Sequence, residues 1–553
     1  MKTKLALKAQ LAVVSLLSTL AFQPPAVQAA GPLNPPGPPG PLWKSLQEVE
    51  PRILIASLPY TISASGSYYL SNSLALPGGN GITISASGVT LDLNGATIYT
   101  TAASGEGIAI NAGFTDVTIR NGHLKGSVTD NGSGTFSGLG FNDGIYGLGA
   151  SGVHISGVTV SGCLNSGIYL NVGASTVVEE CTVNTVGYAG IYANVVESCS
   201  AFDCGSDGID ADQVSDSAGH AAYSGYGIYT VTAINCTGSS LTGTGMYAQE
   251  AGNSYGTTAT GYYGLLSSTA NNCYGYTGNT NGYGLDAVDA NGCYGYGGYA
   301  AVYCGGTAHG CYGYTYTGYG VYAYAANNCY GYSYIYNNVN SNTTSYAAVY
   351  AKVANNCYGY DYNSYSGSYN NYGIQADSAN NCEGISYYGY GIYTYPGTAE
   401  NCYGSSTYTE GLYAYTANNC YGTSYNSYGM FANAANNCYG NSTYSDGMDA
   451  DAANNCYGYT QYGYYGIYTA VANNCYGYDG GSASSGGYGL YAYCSANNCY
   501  GLNYTVNGTG LYANIAIGCC GYAYYGSYTG LYAFIGESSS GTTISVTHNF
   551  NCF

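Results

Sequence analysis

The acidic segment DGIDAD carries the residues of this chain that are best suited to chemistry. Asp207, Asp210 and Asp212 lie within it, and His220 follows. In an extended strand the side chains of Asp210 and Asp212 share a face and stand about 6.7 Å apart along the chain. Carboxylates at this separation suit a glycosidase that protonates the leaving oxygen and activates water. We therefore take these four residues as the candidate catalytic residues of a polysaccharide hydrolase.

Nearly the same string recurs as DGMDAD, with Asp446, Asp449 and Asp451 but no neighbouring histidine. A single active site would not require two copies. Recurrence fits better with outward acids that keep a surface solvated, or with carboxylates that bind Ca²⁺ together. We expect no required cofactor, and calcium at this second segment is the alternative.

Tyrosine is the most unusual component, with 73 residues, and many recur in two columns. The first column, which we predict to bind ligand, contains Tyr303, Tyr322, Tyr350, Tyr393, Tyr413, Tyr468, Tyr491, Tyr512 and Tyr532. The second contains Tyr274, Tyr294, Tyr312, Tyr330, Tyr358, Tyr403, Tyr421 and Tyr439. Such columns stabilise strands through ring contacts. They also suit a rigid aromatic platform for sugars or another surface.

Cysteines recur with the same period and form a column of their own: Cys273, Cys293, Cys311, Cys329, Cys357, Cys382, Cys402, Cys420, Cys438, Cys456 and Cys475. We expect them to point inward as small apolar thiols. Disulfides between neighbouring coils would be strained for strands in register. A linear column also does not converge on zinc.

A four-residue unit positions all these side chains: Gly, a branched residue or Met, usually Tyr, then usually Ala. It starts twenty times between Gly144 and Gly530, at intervals of 17 to 28 residues. In most copies a cysteine follows nine residues after the start, as from Gly411 to Cys420, and length varies after that cysteine. A period of this size predicts a solenoid, with insertions at one corner of each coil. Period-two alternation places the branched residue and Ala inside and Tyr outside.

The strings GITISASGVTLDLNG, from Gly81, and GVHISGVTVSGCLNSGIYL, from Gly152, resemble the right-handed β-helix superfamily of pectate-lyase-like and periplasmic copper-site maturation proteins. The resemblance implies an all-β, single-stranded right-handed parallel β-helix of about twenty coils, and it covers about two thirds of the mature chain. Lyases of this fold use a basic side chain, usually with calcium. Lys352 is the only cation beyond Lys125 that is available for that role.

The first residues have the pattern of a secretory signal peptide, since Lys2, Lys4 and Lys8 precede an apolar run that suits cleavage after Ala29. We assign residues 1–29 to the signal, 30–60 to a Pro/Gly-rich spacer and a short N-terminal cap, and 61–553 to the β-helix. The cap would include a helix at 43–50. No later apolar stretch is long enough to span a membrane.

The net charge limits the classes of molecule that the chain can bind. Eight Lys and Arg stand against 28 Asp and Glu, for a net charge of −20. Such a chain repels nucleic acid and other polyanions. We predict a secreted, non-catalytic surface protein that binds neutral polysaccharide or a cell-surface or matrix component. The alternatives are a polysaccharide hydrolase, less so a lyase, and a structural envelope or matrix rod that associates laterally.

Overall fold

The computed structural model describes residues 51–171, 173–335, 345–363, 371–481, 486–524 and 529–550. The chain divides into two units, 1–51 and 52–553. The second unit is a parallel β-solenoid of about 23 turns, close to the predicted number of about twenty. Within the described ranges every regular element is a strand. The helix expected at 43–50 lies outside them.

Short strands form the first coils and pair coil to coil in three parallel ladders, one on each face. On the first face Tyr60–Ile62 pairs with Ile82–Ile84, on the second Gly66–Leu70 pairs with Val89–Asp92, and on the third Leu74–Ala75 pairs with Thr97–Tyr99. The strands before the regular repeat are Ile53–Ile55, Tyr60–Ile62, Gly66–Leu70, Leu74–Ala75, Ile82–Ile84, Val89–Asp92, Thr97–Tyr99, Ile108–Ile110, Thr115–Lys125, Thr129–Asp130, Phe136–Ser137, Ile145–Tyr146, Ser151–Cys163, Ile168–Tyr169, Val177–Glu179 and Thr182–Val186.

Parallel pairing begins earlier than the sequence indicated. Ile53–Ile55 already pairs with Gly66–Leu70 of the next coil, inside the range 30–60 that was assigned to the spacer and cap. The first coil therefore starts at Ile53.

From Ile191 onward each coil has one long strand, which covers the first and second faces, and one short strand on the third. The long strands are Ile191–Glu197, Ile209–Ser215, Ile228–Ile234, Met246–Gly252, Tyr263–Asn271, Tyr283–Asn291, Ala300–His309, Tyr319–Asn327, Ala347–Asn355, Tyr372–Asn380, Tyr390–Glu400, Leu412–Asn418, Met430–Asn436, Met448–Asn454, Tyr465–Asn473, Tyr488–Asn497, Thr509–Ile517, Leu531–Glu537 and Ile544–Phe550. The short strands are Ser200–Cys204, Ala218–Ala221, Thr237–Ser240, Tyr255–Thr258, Tyr274–Thr277, Tyr294–Tyr296, Tyr312–Thr315, Tyr330–Ile335, Tyr358–Asn363, Glu383–Ser386, Tyr403–Ser406, Tyr421–Ser424, Tyr439–Ser442, Tyr457–Thr460, Tyr476–Asp479, Tyr500–Asn503, Cys520–Ala523 and Ser540–Gly541. Loop length varies mostly between a short strand and the next long one, as predicted. The prediction of a single corner is wrong, because the strands Ala300–His309, Tyr390–Glu400 and Tyr488–Asn497 hold extra residues where the first face meets the second.

The core follows the predicted alternation. In the coil that begins at Leu412, the side chains of Leu412, Ala414, Ala417 and Cys420 are buried, while Tyr413 lies on the outside. Burying each branched side chain contributes about 1.5 to 3 kcal/mol, and the repetition of this burial stabilises a Gly-rich chain.

Asparagine makes the corner between the second and third faces. The second residue of each Asn pair has a left-handed backbone, as at Asn328 with φ 54°, which Asn tolerates better than most residues. The first residues of these pairs form a hydrogen-bonded ladder, in which the Nδ2 of Asn355 donates to the Oδ1 of Asn327 at 2.9 Å.

The cysteine column is buried, as predicted, and its thiols are free. Each thiol bonds to backbone carbonyls: the Sγ of Cys420 donates to Asn418 O at 3.1 Å and lies 3.4 Å from Ala399 O. Ser217 occupies the same position in an earlier coil, and its hydroxyl donates to Ser215 O at 2.7 Å. A thiol or a hydroxyl can therefore fill this position, because either one donates a hydrogen bond to the backbone carbonyl two residues earlier. No disulfide is needed.

This bonding predicts that reductant will not destabilise the protein. Breaking a stabilising disulfide would cost about 2 to 4 kcal/mol. We therefore expect the same thermal unfolding midpoint, followed by circular dichroism, with and without dithiothreitol. We also expect Cys420→Ser to change the unfolding free energy by less than about 1 kcal/mol, because serine makes the same bond at Ser217. A lower midpoint in dithiothreitol would contradict free thiols.

Candidate functional site

The first-face tyrosine ladder consists of the outward residue that follows the branched core residue in each coil. All nine tyrosines predicted to bind ligand lie on it, in parallel register. In chain order its members are Tyr146, Tyr169, Tyr192, Asp210, Tyr229, Tyr247, Leu266, Asp286, Tyr303, Tyr322, Tyr350, Gln375, Tyr393, Tyr413, Phe431, Asp449, Tyr468, Tyr491, Tyr512 and Tyr532. The two acidic segments picked out from the sequence thus contribute rungs to the same ladder as the tyrosines.

Within a run of this ladder the rings cover one another. Tyr491 and Tyr512 are stacked with centroids 4.5 Å apart and planes 5° from parallel, and Tyr468 and Tyr491 are 5.4 Å apart. A ring inside a run therefore has both faces against its neighbours. Runs present ring edges and phenol hydroxyls to solvent, which changes the expected form of the platform: an open ring face is available only where a run is interrupted.

A second tyrosine column lies on the third face and contains all eight tyrosines that were predicted for it. Tyr421 and Tyr439 are stacked at 4.6 Å, and Tyr439 and Tyr457 at 4.8 Å. Four of its tyrosines were missed in the sequence, although the Cys-Tyr-Gly unit continues through three of them: Tyr255, Tyr457, Tyr476 and Tyr500. Burial and the neighbouring tyrosines raise the pKa of Tyr274 to about 12, so its hydroxyl stays protonated and can donate.

A further column on the same face, two residues along each short strand, was also missed. Its rings stack in the same way, as for Tyr314 and Tyr332 with centroids 5.0 Å apart. The signal was the Tyr-Gly-Tyr pattern, since residues i and i+2 of a strand share a face. Its tyrosines are Tyr276, Tyr296, Tyr314, Tyr332, Tyr360, Tyr459, Tyr478 and Tyr522.

The first acid of each acidic segment supports the backbone. Asp207 Oδ1 accepts the N–H of Tyr226 at 2.7 Å, and Asp446 Oδ1 accepts the N–H groups of Tyr464 and Tyr465 at 3.3 and 2.9 Å. Both acids therefore hold the corner of the following coil. Burial raises the pKa of each of them, and these hydrogen bonds oppose the rise.

The third acid of each segment is held by an asparagine of the preceding coil. Asn194 Nδ2 donates to Asp212 Oδ2 at 2.7 Å, and Asn433 Nδ2 donates to Asp451 Oδ2 at 2.9 Å. The two segments thus fold in the same way, twelve coils apart along the ladder.

The middle acid of each segment is the ladder rung. Asp210 and Asp449 are half-buried, and no hydrogen-bond donor among the described residues contacts either carboxylate. Burial, then the charges of Asp207 and Asp212, raises the pKa of Asp210 to about 6. Burial and the charge of Asp451 raise the pKa of Asp449 to about 6 as well. These two carboxylates are available to a ligand.

The structure does not bring His220 to the other candidate catalytic residues. Asp210 and Asp212 lie on the long strand Ile209–Ser215, whereas His220 lies on the short strand Ala218–Ala221 and points outward from the third face. Lys352 lies in another coil, with its ammonium 5.3 Å from the centroid of Tyr324.

Across the described part of the chain, no three His, Cys, Asp or Glu side chains converge to hold a metal ion. In the segment expected to bind calcium, the carboxylate of Asp446 faces backbone amides and that of Asp451 faces an asparagine amide. Asp449 stands apart from both contacts. No helix in the same described ranges is long and apolar enough to cross a membrane.

Comparison with known proteins supports the fold. The family model of the right handed beta helix region matches residues 61–195, about a quarter of the chain. The match contains both strings that carried the resemblance and ends before the Tyr-Gly-Cys coils, so it is shorter than the two thirds expected. It identifies the right-handed β-helix and no enzyme subtype. Neither a curated protein nor a solved structure matched the chain.

Proposed function

We propose that this right-handed parallel β-helix is a secreted, non-catalytic surface protein that binds neutral polysaccharide along its tyrosine-lined faces. The observation that carries the proposal is the set of tyrosine ladders on the first and third faces, in register over many coils. A linear polymer that lies along such a rod meets the same groups at every coil, so weak contacts add up. Export is proposed from the signal-like pattern in residues 1–29, which lie outside the described residues.

The chemistry of the ladders favours a neutral, hydroxyl-rich partner. Runs of stacked rings expose phenol hydroxyls, which donate and accept hydrogen bonds, beside apolar ring edges. The net charge of −20 repels polyanions, so acidic polysaccharides and nucleic acid are unfavourable partners without a bridging cation.

A polysaccharide hydrolase is the second candidate, and the raised pKa of Asp210 favours it. A glycosidase needs a carboxyl group that stays protonated near neutral pH, beside a second that is ionised. In an ideal strand Asp210 and Asp212 would be about 6.7 Å apart, within the range of inverting enzymes. The same pair recurs as Asp449 and Asp451, whereas a single active site needs one pair only.

Polysaccharide binding without cleavage is therefore the expected result. The mature protein would be screened against immobilised neutral polysaccharides, with and without Ca²⁺, and each retained polysaccharide would be assayed for release of reducing ends. We expect retention, no release, and no dependence on Ca²⁺. Polygalacturonate and single-stranded DNA are polyanion controls that should not be retained.

Release of reducing ends that Asp210→Asn abolishes would move the assignment to the hydrolase. Failure to retain any polysaccharide, together with mass that grows with concentration in light scattering, would favour a structural rod that associates laterally.

A further inference from the structure

The first-face ladder is interrupted by polar side chains at a regular interval. Asp210 and Asp286 are four coils apart, Asp286 and Gln375 are four coils apart, and so are Gln375 and Asp449. With strands about 4.8 Å apart, the interval is about 19 Å. We call these four residues the polar rungs. Loop lengths differ widely between these coils, so the interval is a property of the ladder and not of the spacing in sequence.

The polar rungs share a second property, which is the absence of a partner. None of the four side chains hydrogen-bonds to another described residue, although all four are half-buried. The acids beside them in sequence differ: Asp212 accepts from Asn194, and Asp289 Oδ1 accepts the N–H of Thr307 at 2.8 Å. None of the polar atoms of the four polar rungs is among the buried atoms without a partner in the described residues, so water solvates them, and a sugar hydroxyl that replaces this water makes an equivalent hydrogen bond.

At each polar rung the ladder lacks the ring that would stack on its neighbours in a run. Asp210 lies between Tyr192 and Tyr229, and Asp449 lies between Phe431 and Tyr468. Tyr229 is 41% exposed, in keeping with an uncovered face.

The opening has the dimensions of one saturated ring. Two coil steps separate the flanking rings by about 9.6 Å. Ring thickness, taken from a carbon contact distance of about 3.5 Å, leaves a slot of about 6 Å. The short polar side chain forms the floor of this slot. Gln375 lies between Tyr350 and Tyr393, and Asp286 lies between Leu266 and Tyr303. In each of these slots a tyrosine of the same coil forms a side wall, since the ring centroid of Tyr372 lies 5.2 Å from that of Tyr393 and the centroid of Tyr283 lies 5.3 Å from that of Tyr303.

We propose that the four polar rungs are sugar subsites, each taking one pyranose ring of a neutral glycan between the flanking side chains, with a sugar hydroxyl bonded to the polar floor. This inference rests on the proposed function and assigns the binding of neutral polysaccharide to these four positions. The C–H groups of a pyranose pack on aromatic faces, whose quadrupole is negative at the face. Its hydroxyls supply the donors that the Asp carboxylates lack and both partners that the Gln amide lacks.

The neutral rung decides between a sugar and a cation. A carboxylate between aromatic faces also suits an ammonium or guanidinium group. Gln375 carries no charge yet has the same place in the four-coil pattern, so charge is not the property that the polar rungs share. Hydrogen bonding is shared by all four.

The test fills the slots and opens a new one. Asp210→Tyr, Asp286→Tyr, Gln375→Tyr and Asp449→Tyr, combined in one variant, complete the ladder with stacked rings. The matched control is Glu250→Gln, Asp289→Asn and Asp377→Asn, which removes the same number of negative charges from exposed residues outside the ladder. Both would be titrated by calorimetry with hexasaccharides of β-1,4-glucan, β-1,3-glucan, β-1,4-mannan and β-1,4-xylan, and with spermine as the cationic probe.

We expect the filled variant to bind the hexasaccharide that the native protein binds at least tenfold more weakly, and the control to bind it as the native protein does. Tyr491→Asp, which opens a slot between Tyr468 and Tyr512, should add one binding site per chain. This gain keeps the test decisive if the filled variant does not fold.

The outcomes separate the two proposals. Equal affinity of the native and filled proteins, or no added site in Tyr491→Asp, would overturn the slots while sugar binding stands. Loss of spermine binding alone would identify the slots as cation sites and overturn them as sugar subsites. Failure of the native protein to bind any of the four hexasaccharides would overturn the proposed function itself.

Discussion

Asp361→Ser is expected to stabilise the protein by about 3 to 4 kcal/mol at pH 8 and to have little effect at pH 5. Asp361 is 1% exposed and points into the core from the third face. Ser386 Oγ donates to its Oδ2 at 2.9 Å, while its Oδ1 has no hydrogen-bond partner among the described residues. Burial raises the pKa of Asp361 to about 8.

The sign of the effect follows from where the proton is bound. The unfolded carboxyl titrates near pH 4, whereas the folded one holds its proton up to about pH 8. Its contribution to stability is therefore fully present below pH 4 and is lost as the pH rises through 8, at about 1.4 kcal/mol per pH unit. Between pH 5 and pH 8 this amounts to about 4 kcal/mol.

Serine is the natural replacement, because Ser333 and Ser386 hold the equivalent inward position in the two neighbouring coils. Solenoids unfold regionally, so hydrogen exchange of peptides from this coil is the suitable measurement. Asp377→Ser, on the exposed outer side of the following strand, is the matched control. A pH dependence of exchange protection that Asp361→Ser leaves unchanged would show that this carboxyl is not its source.

The architecture of the coil was predictable because the residues within one repeat unit are enough to distinguish buried from outward positions. The sequence Gly-Leu-Tyr-Ala at Gly411 already separates the buried Leu412 and Ala414 from the outward Tyr413 by strand alternation. The fixed spacing to Cys420 likewise predicts the second buried position. Most insertions leave this spacing intact because they follow the short strand, whereas the extra residues in Tyr390–Glu400 lengthen the spacing from Gly391 to Cys402.

The functional surface was less predictable because it depends on register between coils. Gln375 attracts no notice in the sequence, and only its pairing with Tyr350 and Tyr393 shows that it interrupts a run. Asp207 and His220 were grouped with Asp210 by proximity in sequence. A corner of the coil separates His220 from the strand that carries Asp210. The carboxylate of Asp207 accepts the backbone N–H of Tyr226.

The sequence also did not predict which parts of the tyrosine rings face solvent. Stacking at the coil spacing was expected, and it is this stacking that covers the ring faces on which a sugar would lie. Abundance of tyrosine therefore indicates binding less directly than its interruption does. Of the four polar rungs, the sequence alone singles out Asp210 and Asp449, whereas Asp286 and Gln375 become visible only through the register between coils.

Gly422→Ala is expected to destabilise its coil by about 3 kcal/mol or more, the largest loss we predict for adding one methyl group. Gly422 belongs to the short strand Tyr421–Ser424, where it faces inward. A Cβ at this position would overlap the carbonyl oxygen of Gly429 and would lie 2.9 Å from its carbonyl carbon and 3.1 Å from Met430 Cβ. The obstacle is backbone that already pairs on both sides, so no side-chain rotation relieves it.

The glycine is required here by close approach and not by backbone conformation, and a second glycine tests that distinction. Gly252 ends the long strand Met246–Gly252, and a Cβ there would meet no atom within 4 Å. We expect Gly252→Ala to be neutral or to stabilise by up to about 1 kcal/mol, because alanine lowers the entropy of the unfolded chain. Thermal unfolding and hydrogen exchange of both variants would decide the matter. Equal behaviour of the two would mean that the first and third faces do not pack through their glycines, and that the coil is wider than the structure has it.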